Sequence, residues 1–332
     1  MATVPYKCTL SPEMQKRAEM ELGENHLMRK LAFNTLYKYM DEKPHINFCR
    51  DENFLIRFLR AKKFEVDRAF KALKKYYELH LKLPEFFNDY HPQGIKHVLD
   101  DGYPYVLTDT DKEGRKVVAM RAGHWDPAKY PMLDICKALF MVLDYLVEEE
   151  ETQITGVVLI FDVGGVSMYQ ASQLTPSAAK KVTSIFQNCI PVRISGIHFV
   201  NEPVVFDGAF TIMKPFMNDK MRNRVKMHGT NYASLHKHVS PKILPREWGG
   251  TMGTYDNTQW KKEFLEIELA WTPSLEGTVL KKKKKLMKFK RHKKSSSKGS
   301  LKDFKDFQTD SPVDSSEADD DSFESAEEDF TS

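Results

Sequence analysis

The stretch GVVLIFD (156–162) constrains the fold most, because it is apolar at odd and even positions alike. A strand of that kind has to be covered on both faces, as in a sheet flanked by helices. Downstream, LTPSAAKKVTSIFQNC (174–189) offers Thr175 as a cap and Pro176 in the first turn, and GIHFVN (196–201) reads as the next strand. A crossover helix of that length is what parallel strands need. Upstream, YPYVLTD (103–109) and RKVVAMR (115–121) flank the turn Thr110 to Gly114 and read as a hairpin, so the expected fold class is α/β with a mixed sheet over residues 93–270.

The preceding segment has a different rhythm. Phe54, Leu55, Phe58 and Leu59 form one apolar stripe in DENFLIRFLRA, with no alternation nearby. Residues 11–92 therefore read as a small all-helical domain after a flexible N-terminus (1–10). Ser11-Pro12 opens its first helix, Asp51 starts its second, and Pro84 and Pro92 punctuate its end.

At 332 residues and 41% hydrophobic content the chain can bury a large core. Its longest apolar run, GVVLIF, falls far short of the roughly 20 residues a bilayer-spanning helix needs, and MATVPYKCTL lacks the core of a signal peptide, so a cytoplasmic protein is expected. Cys8, Cys49, Cys136 and Cys189 stand far apart and suit reduced thiols better than a zinc site.

Catalytic signatures are missing: there is no GxSxG, no GxxxxGK[ST], no GxGxxG after a strand and no HExxH. Asp162 ends a strand where α/β enzymes place catalytic groups, yet a carboxylate capping the turn into Gly164-Gly165 explains it better. His228, His236 and His238 lack the spacing of a metal set. No catalytic residue, metal or cofactor is expected.

The most informative stretch is PVVFDGAFTIMKPFMNDKMRNRVK (203–226). Phe206, Phe210, Met213, Met217 and Met221 share one helical face, while Pro215 divides the segment into two short helices. Phe and Met adapt to exchangeable apolar partners, and the polar side carries Lys214, Lys220, Arg222, Arg224 and Lys226. Lys220 and Arg224 are one turn apart, able to hold a phosphate, although a solvated face could carry the same charges.

GIHFVNEPVVFDGAFTIMKPFMNDKMRNRVKMHGTNY, together with HWDP (124–127), LTPSAAKKV (174–182) and ILPREWGG (243–250), resembles the CRAL-TRIO lipid-transfer family. The similarity lies with its alpha-tocopherol transfer protein, transfer-protein-like and clavesin members, and covers roughly residues 10 to 265. The resemblance implies a non-enzymatic carrier whose hydrophobic small-molecule cargo sits under a mobile lid formed by Phe206, Phe210, Met213 and Met217. It implies pocket walls at Leu139, Leu143, Val157, Phe161, Val182, Ile185, Phe186, Val192 and Ile197. It also implies a phosphatidylinositol bisphosphate site at Arg193, Lys220 and Arg224 with Lys214 nearby. Two departures matter: Leu139 and Leu143 replace serines near the ligand hydroxyl, and Ser195 replaces a basic residue. A tocopherol, a retinoid or another lipid thus stays open as cargo, and an adaptor that senses phosphoinositide without moving lipid is the alternative. The expected protein is a monomer, reversibly peripheral on endosomal or plasma membranes.

The net charge of +3 averages over a C-terminal segment, 271–332, that reads as disordered. KKKKKLMKFKRHKK (281–294) suits an anionic membrane surface better than nucleic acid, which is not an expected partner, and residues 310–332 hold ten acidic residues without Lys or Arg.

Overall fold

The computed structural model describes residues 4–187 and 190–267; the polybasic (281–294) and acidic (310–332) segments, with the disorder expected over 271–332, lie outside them. Five helices open the chain: α1 (Pro12–Leu22), α2 (His26–Asp41), α3 (Glu52–Ala61), α4 (Val66–Lys82) and α5 (Pro84–Phe87). Ser11 caps α1 by accepting from the Met14 amide, and Asp51 accepts from Asn53 at the start of α3. Asp51 thus begins the third helix, not the second. The second starts at Asn25, whose side chain accepts from Met28. Pro84 and Pro92 each occupy the first turn of a short helix, a place where the missing N–H costs nothing.

Residues 4–10, expected to be flexible, are pinned instead. Val4 bridges to Asp51, the Tyr6 amide donates to Glu52, the Thr9 amide donates to Glu150 at 2.9 Å, and Leu10 is buried. A buried ion pair anchors the helices further: Arg60 is fully buried, meets Glu24 at 2.8 Å and donates to Gln153 at 2.7 Å. Both charges are out of water, so the pair persists because each end is hydrogen-bonded.

After α6 (Lys96–Asp100) come β1 (Tyr105–Val106), β2 (Lys116–Arg121), α7 (Met132–Leu146), α8 (Glu150–Thr155), β3 (Val157–Asp162), α9 (Met168–Ser172), α10 (Pro176–Phe186) and β4 (Ile194–Val200). The chain continues through α11 (Val204–Met213), α12 (Asp219–Arg224), β5 (Val225–Met227), α13 (Tyr232–His236) and α14 (Thr258–Leu265). The sheet runs β1-β2-β3-β4-β5, with the first pair antiparallel and the rest parallel. It is mixed, as the hairpin and crossover signals require.

Alternation sends the two faces of β3 into different cores. Val157 and Leu159 join the large core shared with α3, α4 and α7, whereas Val158 and Ile160 pack on Leu235, Leu244 and Trp248 behind the sheet. A bulge between β3 and β4 sets Ser195 outside the pairing, since Val157 partners Ile194 and Val158 partners Gly196. Ile194 and Ile197, three positions apart, thereby share one face. Gly156 enters β3 at φ +87, where a Cβ would lie 2.4 Å from the Arg193 carbonyl, so glycine is required.

Candidate functional site

The front of the sheet does not close on the helices. A cavity of about 270 Å³ lies between β3, β4, α7, α10 and α11, and its wall is nearly all apolar. Leu139, Phe161, Val182, Phe186 and Ile197 line it, and so do Phe206, Phe210, Met213 and Met217 from the lid segment. Leu143, Val157, Ile185 and Val192 do not. Leu143, Val157 and Ile185 are fully buried in the adjoining core, and Val192 packs against that core from the outside. Trp125, Met132, Cys136, Leu159, Phe199 and Val225 are among the other wall residues. Leu159 and Phe199 could have been found in the sequence, since each shares a strand face with an expected wall residue.

The lid is α11, the short turn Lys214–Phe216, and α12. None of the ten residues of α11 is buried, and Val204 is 91% exposed. Its inner side rests on a run of aromatic rings: Phe161 stacks on Phe199 at 5.1 Å, and Phe199 meets Phe206 at 5.0 Å and Phe210 at 6.0 Å. The turn is tied to the end of α10 by Gln187, whose Nε2 donates to the Phe216 carbonyl at 2.6 Å and whose Oε1 accepts from the Asn218 amide at 3.1 Å. Met168 and Tyr169 on α9, which packs beside α11, add an exposed apolar rim.

The polar groups in the wall are already engaged. The Trp125 indole donates to the Tyr130 carbonyl, Gln170 donates to the carbonyl of Trp125 and accepts from the Ser167 amide, and Thr183 donates to Ala179. Burial pushes the Cys136 thiol up to about 12, so it stays neutral. No charged side chain lines the cavity. Such a space accepts an uncharged apolar molecule and rejects a carboxylate, whose burial without a partner costs several kcal/mol.

Of the basic residues, Arg193 precedes β4, pairs with Glu21 of α1 at 3.2 Å and donates to the Ile154 carbonyl. Arg224 ends α12. Burial first, and the charge of Arg193 second, hold its guanidinium below the ordinary value, so the two are electrostatic neighbours. Lys220 is exposed one turn earlier, and Lys214 is exposed in the turn on the far side of Met217. Asp162 has a structural role: Oδ1 accepts from the Gly164 amide and Asn201, and Oδ2 from the Trp248 indole at 3.0 Å. The described residues contain no cluster of metal-ligating groups and no helix long and apolar enough to cross a membrane.

Residues 100–250 match the CRAL/TRIO domain, and residues 25–96 match the Pinta-like UBA domain. The alpha-tocopherol transfer protein-like protein of Homo sapiens is 39% identical over 264 residues, covering 79% of this chain and 77% of its own. The chain belongs to the CRAL-TRIO family. Clavesin-2 of Rattus norvegicus is 37% identical to this CRAL-TRIO protein over 262 residues, covering 78% of this chain and 80% of its own. Among solved structures, that of Sfh5 aligns with 85% of the chain at a TM-score of 0.43 and 16% identity, too remote to bear on function. CRAL-TRIO proteins bind and transfer lipids. An apolar cavity under an apolar lid is the arrangement such binding needs.

Proposed function

We propose that this CRAL-TRIO protein carries one uncharged hydrophobic lipid, of the tocopherol-like, retinoid or a similar class, and exchanges it at membranes that bear phosphatidylinositol bisphosphate. The observation that carries this reading is the apolar cavity whose outer wall is α11, a helix with no buried residue. Each methylene hidden there stabilises the complex by about 0.8 kcal/mol, so escape into water is slow. A bilayer removes that barrier by receiving the lid's apolar side together with Met168, Tyr169 and Val204, which stand exposed beside it. Arg193, Lys220 and Arg224, with Lys214 at the other end of the lid, support recognition of a phosphorylated headgroup there.

A vesicle assay tests this directly. Transfer of a fluorescent tocopherol or retinoid should accelerate when acceptor vesicles contain phosphatidylinositol bisphosphate, and Lys220→Glu/Arg224→Glu should abolish the acceleration. Vesicle binding without lipid movement would instead make the protein a phosphoinositide-sensing adaptor.

A further inference from the structure

Arg193 stands between an acid and a second base. Its Nη2 meets the Glu21 carboxylate of α1 at 3.2 Å, and its Nη1 donates to the Ile154 carbonyl. Towards α12, its charge adds to burial in holding the Arg224 guanidinium below the ordinary value, so the two cations repel each other. A side chain suited to a phosphorylated headgroup is thus already holding an anion that belongs to the protein.

We propose that Glu21 is a built-in competitor for the headgroup: it occupies Arg193 while the protein is off the membrane, limits the affinity for phosphatidylinositol bisphosphate, and so lets the carrier leave a membrane after exchange. The proposal rests on the reading of Arg193, Lys220 and Arg224 as the headgroup site, and adds the carboxylate that regulates it.

The Glu21 side chain is 35% exposed and that of Arg193 21%, and both line one cleft with Arg17 and Ser195, so an incoming phosphate can reach the pair. Burial works to raise the Glu21 carboxyl, yet Arg17 and Arg193 outweigh it and bring the group below the ordinary value. Glu21 is therefore ionised at neutral pH. It also has a second partner: Arg17, one turn earlier on α1, meets it at 2.6 Å and donates to the Glu113 carbonyl. A carboxylate released by Arg193 keeps that ion pair.

Charge decides the exchange. A phosphate monoester carries about 1.5 to 2 negative charges at neutral pH and three acceptor oxygens, against the single charge of a carboxylate. Held by Arg193 and Arg224 together, it satisfies both guanidiniums and offsets their repulsion. The bound headgroup then stands beside the Glu21 carboxylate, and like charges that close disfavour each other. Binding is weaker than it would be without Glu21. The fold does not depend on the contact, because Ala18 and Leu22 bury α1 against the core and Ser11 and Gly23 cap it.

The test is binding of the full-length protein to phosphatidylcholine vesicles with and without phosphatidylinositol bisphosphate. Glu21→Gln should bind the bisphosphate vesicles about fivefold more tightly and leave them correspondingly more slowly, with thermal stability preserved. Glu19→Gln removes the same charge from an exposed position of the same helix and should bind within twofold of the parent. In an Arg193→Gln background, Glu21→Gln should have no effect. A parent that does not distinguish bisphosphate vesicles from plain ones would overturn the headgroup site and this proposal together. With a parent that does, three outcomes would overturn the role of Glu21 alone: Glu21→Gln binding within twofold of the parent or more weakly, a Glu19→Gln protein that gains as much, or a gain that persists without Arg193.

Discussion

The ring of Phe206 on the lid lies 5.0 Å from the ring of Phe199 on β4, tilted by 42°. Phe199 stacks in turn on Phe161 of β3, so α11 meets the sheet along a line of aromatic rings. Aromatic pairs of this kind contribute about 0.5–1.5 kcal/mol beyond the area they bury. Phe206→Ala should therefore leave global stability nearly unchanged, because the residue is only half-buried, and speed release of bound lipid about tenfold. Stopped-flow release to acceptor vesicles measures it, and an unchanged rate would place the gate elsewhere.

Gln187 ties the turn between α11 and α12 to the end of α10 through two hydrogen bonds. Each contributes about 1 kcal/mol net. Gln187→Ala should make hydrogen exchange of the Phe216 to Met221 amides faster and raise the lipid exchange rate several-fold. Unaltered exchange in that segment would show that the tie does not restrain the lid.

Leu139 and Leu143 sit one turn apart on α7 yet differ in role. Leu139 lines the cavity, and Leu143 is fully buried in the core beside it. Leu139→Ser should add a polar partner to the wall and shift preference toward cargo with a hydroxyl or carbonyl group, with modest destabilisation. Leu143→Ser should lower unfolding free energy by about 3–5 kcal/mol without changing cargo preference. Competitive lipid loading with parallel denaturant melts separates the two effects.

Asp144 provides a pH dependence of unusual sign. It is buried on α7, where its Oδ2 accepts from Tyr90 at 3.2 Å and Tyr76 at 3.4 Å. Burial outweighs the charge of Arg57 and these bonds, and pushes its carboxyl up to about 7. The unfolded chain releases the same proton near pH 4. Between these values the folded form holds a proton that the unfolded form has lost, so this group's contribution is full below about pH 4 and declines as pH rises to about 7, by roughly 4 kcal/mol at most. Asp144→Asn should remove the decline. Its unfolding free energy relative to the parent should rise across that window; a constant difference would contradict the assignment.

Legibility followed physical cause. The double-sided apolarity of GVVLIFD showed a covered central strand, and Thr175-Pro176 and Ser11-Pro12 marked helix starts that the structure has. β5 was hidden, because Val225–Met227 follows a helical stripe and three residues are too few to show alternation. Residues Cys136 to Asp144 of α7 are buried without interruption, so its periodicity could not separate cavity-facing Leu139 from core-facing Leu143.

The measurement that bears most directly on lipid carriage is native mass spectrometry of the full-length protein purified from cells, with extraction and identification of whatever it holds. The account predicts one uncharged apolar lipid per chain, lost when the lid is opened by Phe206→Ala/Phe210→Ala. A protein that emerges empty and then refuses tocopherol, retinoids and neutral lipids would contradict it.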